Sequence, residues 1–171
     1  MQIEAILNLL VALIIMLIVV GSFTIFSLQK MAATIAKANY NLYFEITRRS
    51  DLLPIYIELF SKFFDKSSFK GLIDLRGKTM QLRVCDQEKR AMEDKLWAGF
   101  DDIMKSANAN NQVAKDLQLI ALNKDLLEAN LTVQNSAEIY NKLVKKYNFW
   151  VNFLPLKPLT LLFKLKKAES Y

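Results

Sequence analysis

The sequence predicts an all-α protein, in which one N-terminal transmembrane helix continues into an antiparallel bundle of three to four helices. Three observations carry this. The run between Glu4 and Lys30 holds 25 residues and no charge. Beyond it, apolar residues recur at spacings of three and four rather than two. Only four glycines and three prolines interrupt 171 residues, and a hydrophobic content of 53% belongs to a folded chain, not a disordered one. The expected division is an anchor over residues 1–30, a bundle over 31–154 and a basic, apolar tail over 155–171.

The uncharged run includes "LLVALIIMLIVVGSFTIFSL". At roughly 1.5 Å per residue it is long enough to cross a hydrocarbon core of about 30 Å. A cleaved signal peptide is the competing reading, but "MQIE" has no basic stretch and the run exceeds the roughly 15 apolar residues such signals use. No basic residue precedes the run, whereas Lys30, Lys37, Arg48 and Arg49 follow it. Lys and Arg resist translocation, so the amino end is expected outside and the body in the cytoplasm. The single Cys85 cannot form an internal disulfide and gives no sign of an oxidising compartment. Residues 1–141 carry 16 basic and 16 acidic side chains, so the net charge of +6 resides in the last thirty residues. Such a tail suits an anionic lipid surface or an acidic partner. It also suits docking on the bundle, the choice favoured if the chain runs out, back and out again before Pro155.

Helical spacing continues past the run through Leu42, Ile46, Leu53, Ile57, Phe60 and Phe64, so the first bundle helix extends the anchor. Pro54 has no N–H for the carbonyl of Ser50, which predicts a kink, or a restart capped by Ser50. A second helix is expected over about Phe69 to Val84. A third is expected from about Glu88 to Ser106, with Met92, Leu96, Phe100 and Ile103 on one face. Whether residues 69–106 make one pass or two is open at this level. "SANANN", residues 106–111, reads as a turn. The most regular pattern follows: Leu126, Asn130, Val133, Ala137, Tyr140, Val144, Tyr147, Val151 and Leu154 form a heptad, coiled-coil-like seam ended by Pro155 and Pro158. Asn130 sits on that seam, where the favoured reading is a wet helix edge and the alternative a residue that fixes register or partner.

The chain has no histidine. That removes Ser-His-Asp and Cys-His nucleophile systems, His-containing metal sites and the Glu-x-x-His pairs of di-iron bundles. No phosphate-binding glycine loop occurs. Glu93-Asp94 and Asp101-Asp102 are paired carboxylates, but helix neighbours diverge by about 100° and do not converge on one atom. No catalytic residue, metal or cofactor is expected, and no nucleic-acid module is present.

Several stretches resemble the LemA family of bacterial membrane-anchored proteins. In "RRSDLLPIYIEL" Arg48, Arg49, Asp51, Leu52, Pro54 and Glu58 match that family's segment, and in "FKGLIDLRGK" Phe69, Ile73, Arg76 and Lys78 do. In "DLLEANLTVQNSAEIYNKLVKKYN" the matches are Leu126, Glu128, Val133, Tyr140-Asn141, Val144 and Tyr147-Asn148. Ile55, Asn39 and Ala137 stand where the family usually has asparagine, tryptophan and arginine. The resemblance implies a helical bundle with a short external amino end and a cytoplasmic body at the bacterial inner membrane. Some members of that family are encoded beside a membrane metalloprotease, which implies, by association, a membrane protease or other envelope complex as the protein partner.

The expected function is a non-enzymatic scaffold or adaptor, held to lipid by its anchor, with a second copy of the chain as a further candidate partner. A signal-transducing module bent at Pro54 and a lipid-surface module using the tail are the alternatives. The candidate interaction residues are Arg48, Arg49, Asp51, Pro54, Glu58, Tyr140, Asn141, Tyr147 and Asn148. For Arg48 and Arg49 the favoured reading is topology and solvation with ion pairing to Glu45 at helical spacing; the alternative is an interhelical polar network of Arg48, Arg49 and Asp51, with Tyr140-Asn141 or Tyr147-Asn148 as its candidate partners.

Overall fold

The computed structural model describes residues 2–109, 113, 115–153 and 157–171. Its helices are α1 (Gln2–Ser50), α2 (Leu52–Phe60), α3 (Lys70–Gln81), α4 (Gln87–Asn108), α5 (Leu117–Asn152) and α6 (Lys157–Leu162), with a 3-10 turn at Lys66–Phe69. Among the described residues no strand forms. The turn expected at 106–111 starts later, since α4 runs to Asn108, and residues 110–111 lie outside the described residues, as do Leu154 and Pro155 of the seam.

The chain forms two compact units, residues 1–36 with 143–168 and residues 37–142 with 169–171. In the second unit, hydrogen bonds and ring contacts fix the helix directions. Asn39 meets Cys85, Arg49 meets Glu93 and Tyr56 meets Phe100, so α1–α2 and α4 advance in parallel. Arg49 also meets Asn130, Tyr56 meets Asn123 and Lys62 meets Gln118, which makes α5 antiparallel to them. Phe60 stacks on Phe69 and Arg76 reaches Ser50, so α3 runs back along α2. Residues 69–106 therefore make two passes, back along α3 and out along α4, and α5 returns again.

The core of this unit gathers Leu53, Tyr56, Phe60, Phe69, Leu72, Leu96 and Phe100 with Leu119 and Leu122. These combine residues on the three-and-four spacing with their cross-helix neighbours. Burying a large apolar side chain contributes about 1.5–3 kcal/mol, so this cluster rather than helix propensity holds the four passes together. Tyr56 packs edge-on against Phe100 with centroids 4.9 Å apart, and its buried hydroxyl donates to Asn123 Oδ1 at 2.7 Å. Gly99 allows close approach of α3: a Cβ there would stand 3.1 Å from Leu72 Cδ2.

In the other unit, Ile25, Leu28 and Ile35 of α1 are buried, as are Val144, Tyr147 and Val151 of α5 and Thr160 of α6. The apolar side chains from Ile3 to Val20 are exposed nearly throughout. Trp150 lines one groove with Phe23, Thr24, Ser27, Leu28 and Met31. Lys164 takes a left-handed φ of 52°, just beyond α6.

Candidate functional site: a buried polar cluster and asparagine clasps

Arg49, on the last turn of α1 and within the second unit, donates from Nη2 to Glu93 Oε2 at 2.6 Å and from Nη1 to Asn130 Oδ1 at 3.3 Å. Its guanidinium lies 4.5 Å from the centroid of Trp97, whose Nε1 donates to the same Glu93 oxygen at 2.9 Å. Glu93 is 1% exposed, which makes this an interior ion pair, not a surface one. Arg49 Nε and Glu93 Oε1 are buried without a hydrogen-bond partner. A half-satisfied buried network is sensitive to any loss, because the remaining charge is left in a poor solvent. The seam residue Asn130 has its cross-helix partner here: its carboxamide oxygen faces the arginine, where an apolar side chain would have left Nη1 unpaired.

Ser50 and Asp51 show what Pro54 does. The carbonyl of Ser50, deprived of the amide at position 54, accepts from Arg76 Nε at 3.0 Å, while Arg76 Nη2 pairs with Asp51 at 2.8 Å. Asp51 itself stays in right-handed helical geometry and gives no side-chain cap to α2. The helix line is thus interrupted for one residue, with no capped restart by Ser50.

Among the described residues asparagine is used three times in one way, to grip the backbone of a single residue with both ends of its carboxamide. Asn39 donates to Cys85 O and accepts from Cys85 N at 3.1 and 3.3 Å. In the same unit Asn141 donates to Tyr171 O at 2.8 Å and accepts from Tyr171 N at 2.9 Å. In the other unit Asn148 does the same to Ala168, at 2.8 and 2.9 Å. Tyr140 adds a bond from its hydroxyl to Glu169 O at 2.7 Å, and Arg90 Nη1 one to Tyr171 O at 3.1 Å. Tyr171 is buried, and burial together with the nearby charge of Glu93 raises its phenol well above the ordinary range.

The candidate residues therefore separate. Arg49 enters the interior cluster. Arg48 makes only a 3.9 Å contact with Glu45 and is mostly exposed. Asp51 pairs with Arg76. Pro54 and Glu58 are exposed, with Glu58 on the rim of a groove lined also by Ile55, Leu59, Lys62, Gln118 and Leu122. Within the second unit Tyr140 and Asn141 hold Glu169 and Tyr171, so the candidate link from Arg49 and Asp51 to Asn141 is not made; in the other unit Asn148 holds Ala168 and Tyr147 is buried. The reason is geometric: Tyr140-Asn141 face the returning tail, while Arg49 finds Glu93 on the parallel helix.

Two buried charges, Glu93 and Lys89, are not apparent as site residues from the sequence motifs. They fall at spacings of three and four with Cys85, Leu96 and Phe100, so a charge on an apolar seam is the available signal. Lys89 donates to the carbonyls of Thr79 at 3.2 Å and Leu82 at 2.7 Å, closing the end of α3, and lies over the Tyr43 ring. Burial lowers its pKa. Cys85 is fully buried and its thiol is pushed up to about 12, chiefly by desolvation, which leaves it a packing group with no thiolate at neutral pH.

An all-α bundle following a helix long and apolar enough to cross a membrane defines the class of protein. The sequence pattern of the LemA family matches residues 38–171, most of the chain, and the protein belongs to that family. No curated protein and no solved structure matches it.

Proposed function

We propose that the protein is a non-enzymatic, single-pass membrane adaptor: α1 anchors it, the bundle stands on the cytoplasmic side, and a face of α5 binds another envelope protein. The observation that carries the binding role is a stripe on α5. Leu117, Ile120, Leu127 and Leu131 are 80, 53, 62 and 53% exposed. At 100° per residue they fall within an arc of about 80°, which also holds the exposed Lys124, opposite the seam that packs in the bundle. A bundle helix ordinarily turns such an arc of polar residues to water, and an outward apolar stripe marks a helix that expects a second partner. The anchor reading rests on the exposed apolar side chains of the first turns of α1, for which lipid is the fitting surround. The basic residues that follow the run support the cytoplasmic side.

The test is photo-crosslinking from position 127 in intact membranes, with exposed Asp102 on α4 as the control position. Leu127 should give a discrete protein adduct that Leu131→Asp weakens. Adducts of equal yield and identity from position 102 would defeat the adaptor reading.

A further inference from the structure

We infer that residues 149–153 and 157–167 form a second membrane attachment, an interfacial patch that settles on anionic phospholipid headgroups beside the anchor. This rests on the reading of α1 as a membrane span. If residues from about 5 to 25 fill the hydrocarbon core, residues 23–31 lie where the chain leaves it. Trp150 lines a groove with just those residues, so the end of α5 stands at the membrane surface within its own compact unit.

The composition there fits that depth. Phe149, Trp150 and Phe153 form a ring cluster with centroid separations of 5.4 to 6.1 Å, and all three are exposed. Trp150 has the amphipathic ring that settles at the headgroup level, and the two phenylalanines supply apolar rings that an interfacial segment buries beneath it. Next comes α6, which turns Leu161 and Leu162 outward at 70 and 74% exposure, followed by the half-exposed Phe163. Thr160, by contrast, is buried and donates to the Val151 and Lys157 carbonyls, so the helix is held from its inner face. Lys157, Lys164, Lys166 and Lys167 are exposed, and no acidic residue occurs between Glu138 and Glu169. Asn148 then grips Ala168 at the far end of the lysine-rich stretch. Apolar side chains to enter the interface and lysines without counter-charges match an anionic leaflet, each lysine adding about a fivefold preference.

Full-length protein is reconstituted in vesicles of zwitterionic lipid, with and without a quarter of anionic phosphatidylglycerol, bearing an environment-sensitive label at L162C or at L13C. Native Cys85 is buried and stays unlabelled. With anionic lipid, the label at 162 should be quenched by a lipid quencher near the headgroups and shielded from aqueous iodide. Changing Lys164, Lys166 and Lys167 to Gln should lower its docked-to-free ratio by on the order of a hundredfold at low salt. The label at 13 should be quenched only from deep in the bilayer. Iodide access at 162, shielding from lipid and iodide alike, or docking indifferent to lipid charge overturns the inference. Failure of deep quenching at 13 instead overturns the anchor reading, and this inference with it.

Discussion

Arg49 and Glu93 are the residues whose loss should be felt most. Removing one partner of a buried ion pair strands the other, so Arg49→Ala or Glu93→Ala should destabilise the bundle by about 3–5 kcal/mol. Exchanging both for apolar residues of similar size should recover much of that, and chemical denaturation of the three variants measures it. Asn141→Asp replaces the donor facing the Tyr171 carbonyl with a negative oxygen, so it should release the tail more fully than Asn141→Ala. Exchange protection of the Tyr171 amide reads this out. Cys85 should resist thiol reagents at pH 8 in the native state and react at once in denaturant. Its folded pKa is raised from 9.0 to about 12. Thiol burial therefore stabilises fully below pH 9, and the contribution fades as pH climbs from 9 towards 12. The measurable form is a stability difference between the native chain and Cys85→Ala that changes over that range only.

At the scale of elements, the break between α1 and α2 is held by α3. Pro54 frees the Ser50 carbonyl and Arg76 takes it, so the two residues should be coupled. Arg76→Ala should cost about 1.5–3 kcal/mol in the native chain and less when Pro54→Ala supplies an amide to the same carbonyl; additive effects in that double-mutant cycle would contradict the account. The periodicity of the chain makes the helices and their buried faces legible in the sequence: Leu42, Ile46, Leu53, Phe60, Leu96, Phe100, Val133, Tyr140 and Val144 are all buried. Hydrophobic spacing reports the face of a helix, because only the side that packs must be apolar. It is silent on which helix stands opposite. The number of passes in residues 69–106, and with it the direction of α5, depends on a short connection between α3 and α4 that no periodic signal marks. The same gap hides the partners of the candidate residues. Arg49 and Asp51 stand two apart, yet one turns inward to α4 and the other outward to α3, a divergence set by the helix and invisible in the motif they share.

For the whole molecule, family membership and the all-α architecture stand, while the role is an adaptor by proposal. The buried Cys85 is a poor topology reporter, because it would escape an impermeant label on either side of the membrane. An introduced Lys95→Cys, exposed on α4 and away from the α5 stripe, removes that ambiguity: it should react in inverted vesicles and stay silent in intact cells. The central claim is that the outward stripe of α5 is covered in the cell. Hydroxyl-radical footprinting of Leu117, Ile120, Leu127 and Leu131, in native membranes and in the purified protein, tests it most directly. The account predicts several-fold protection of these four side chains in membranes, with exposed Ile73 on α3 unchanged. Equal reactivity of the stripe in both preparations would contradict it.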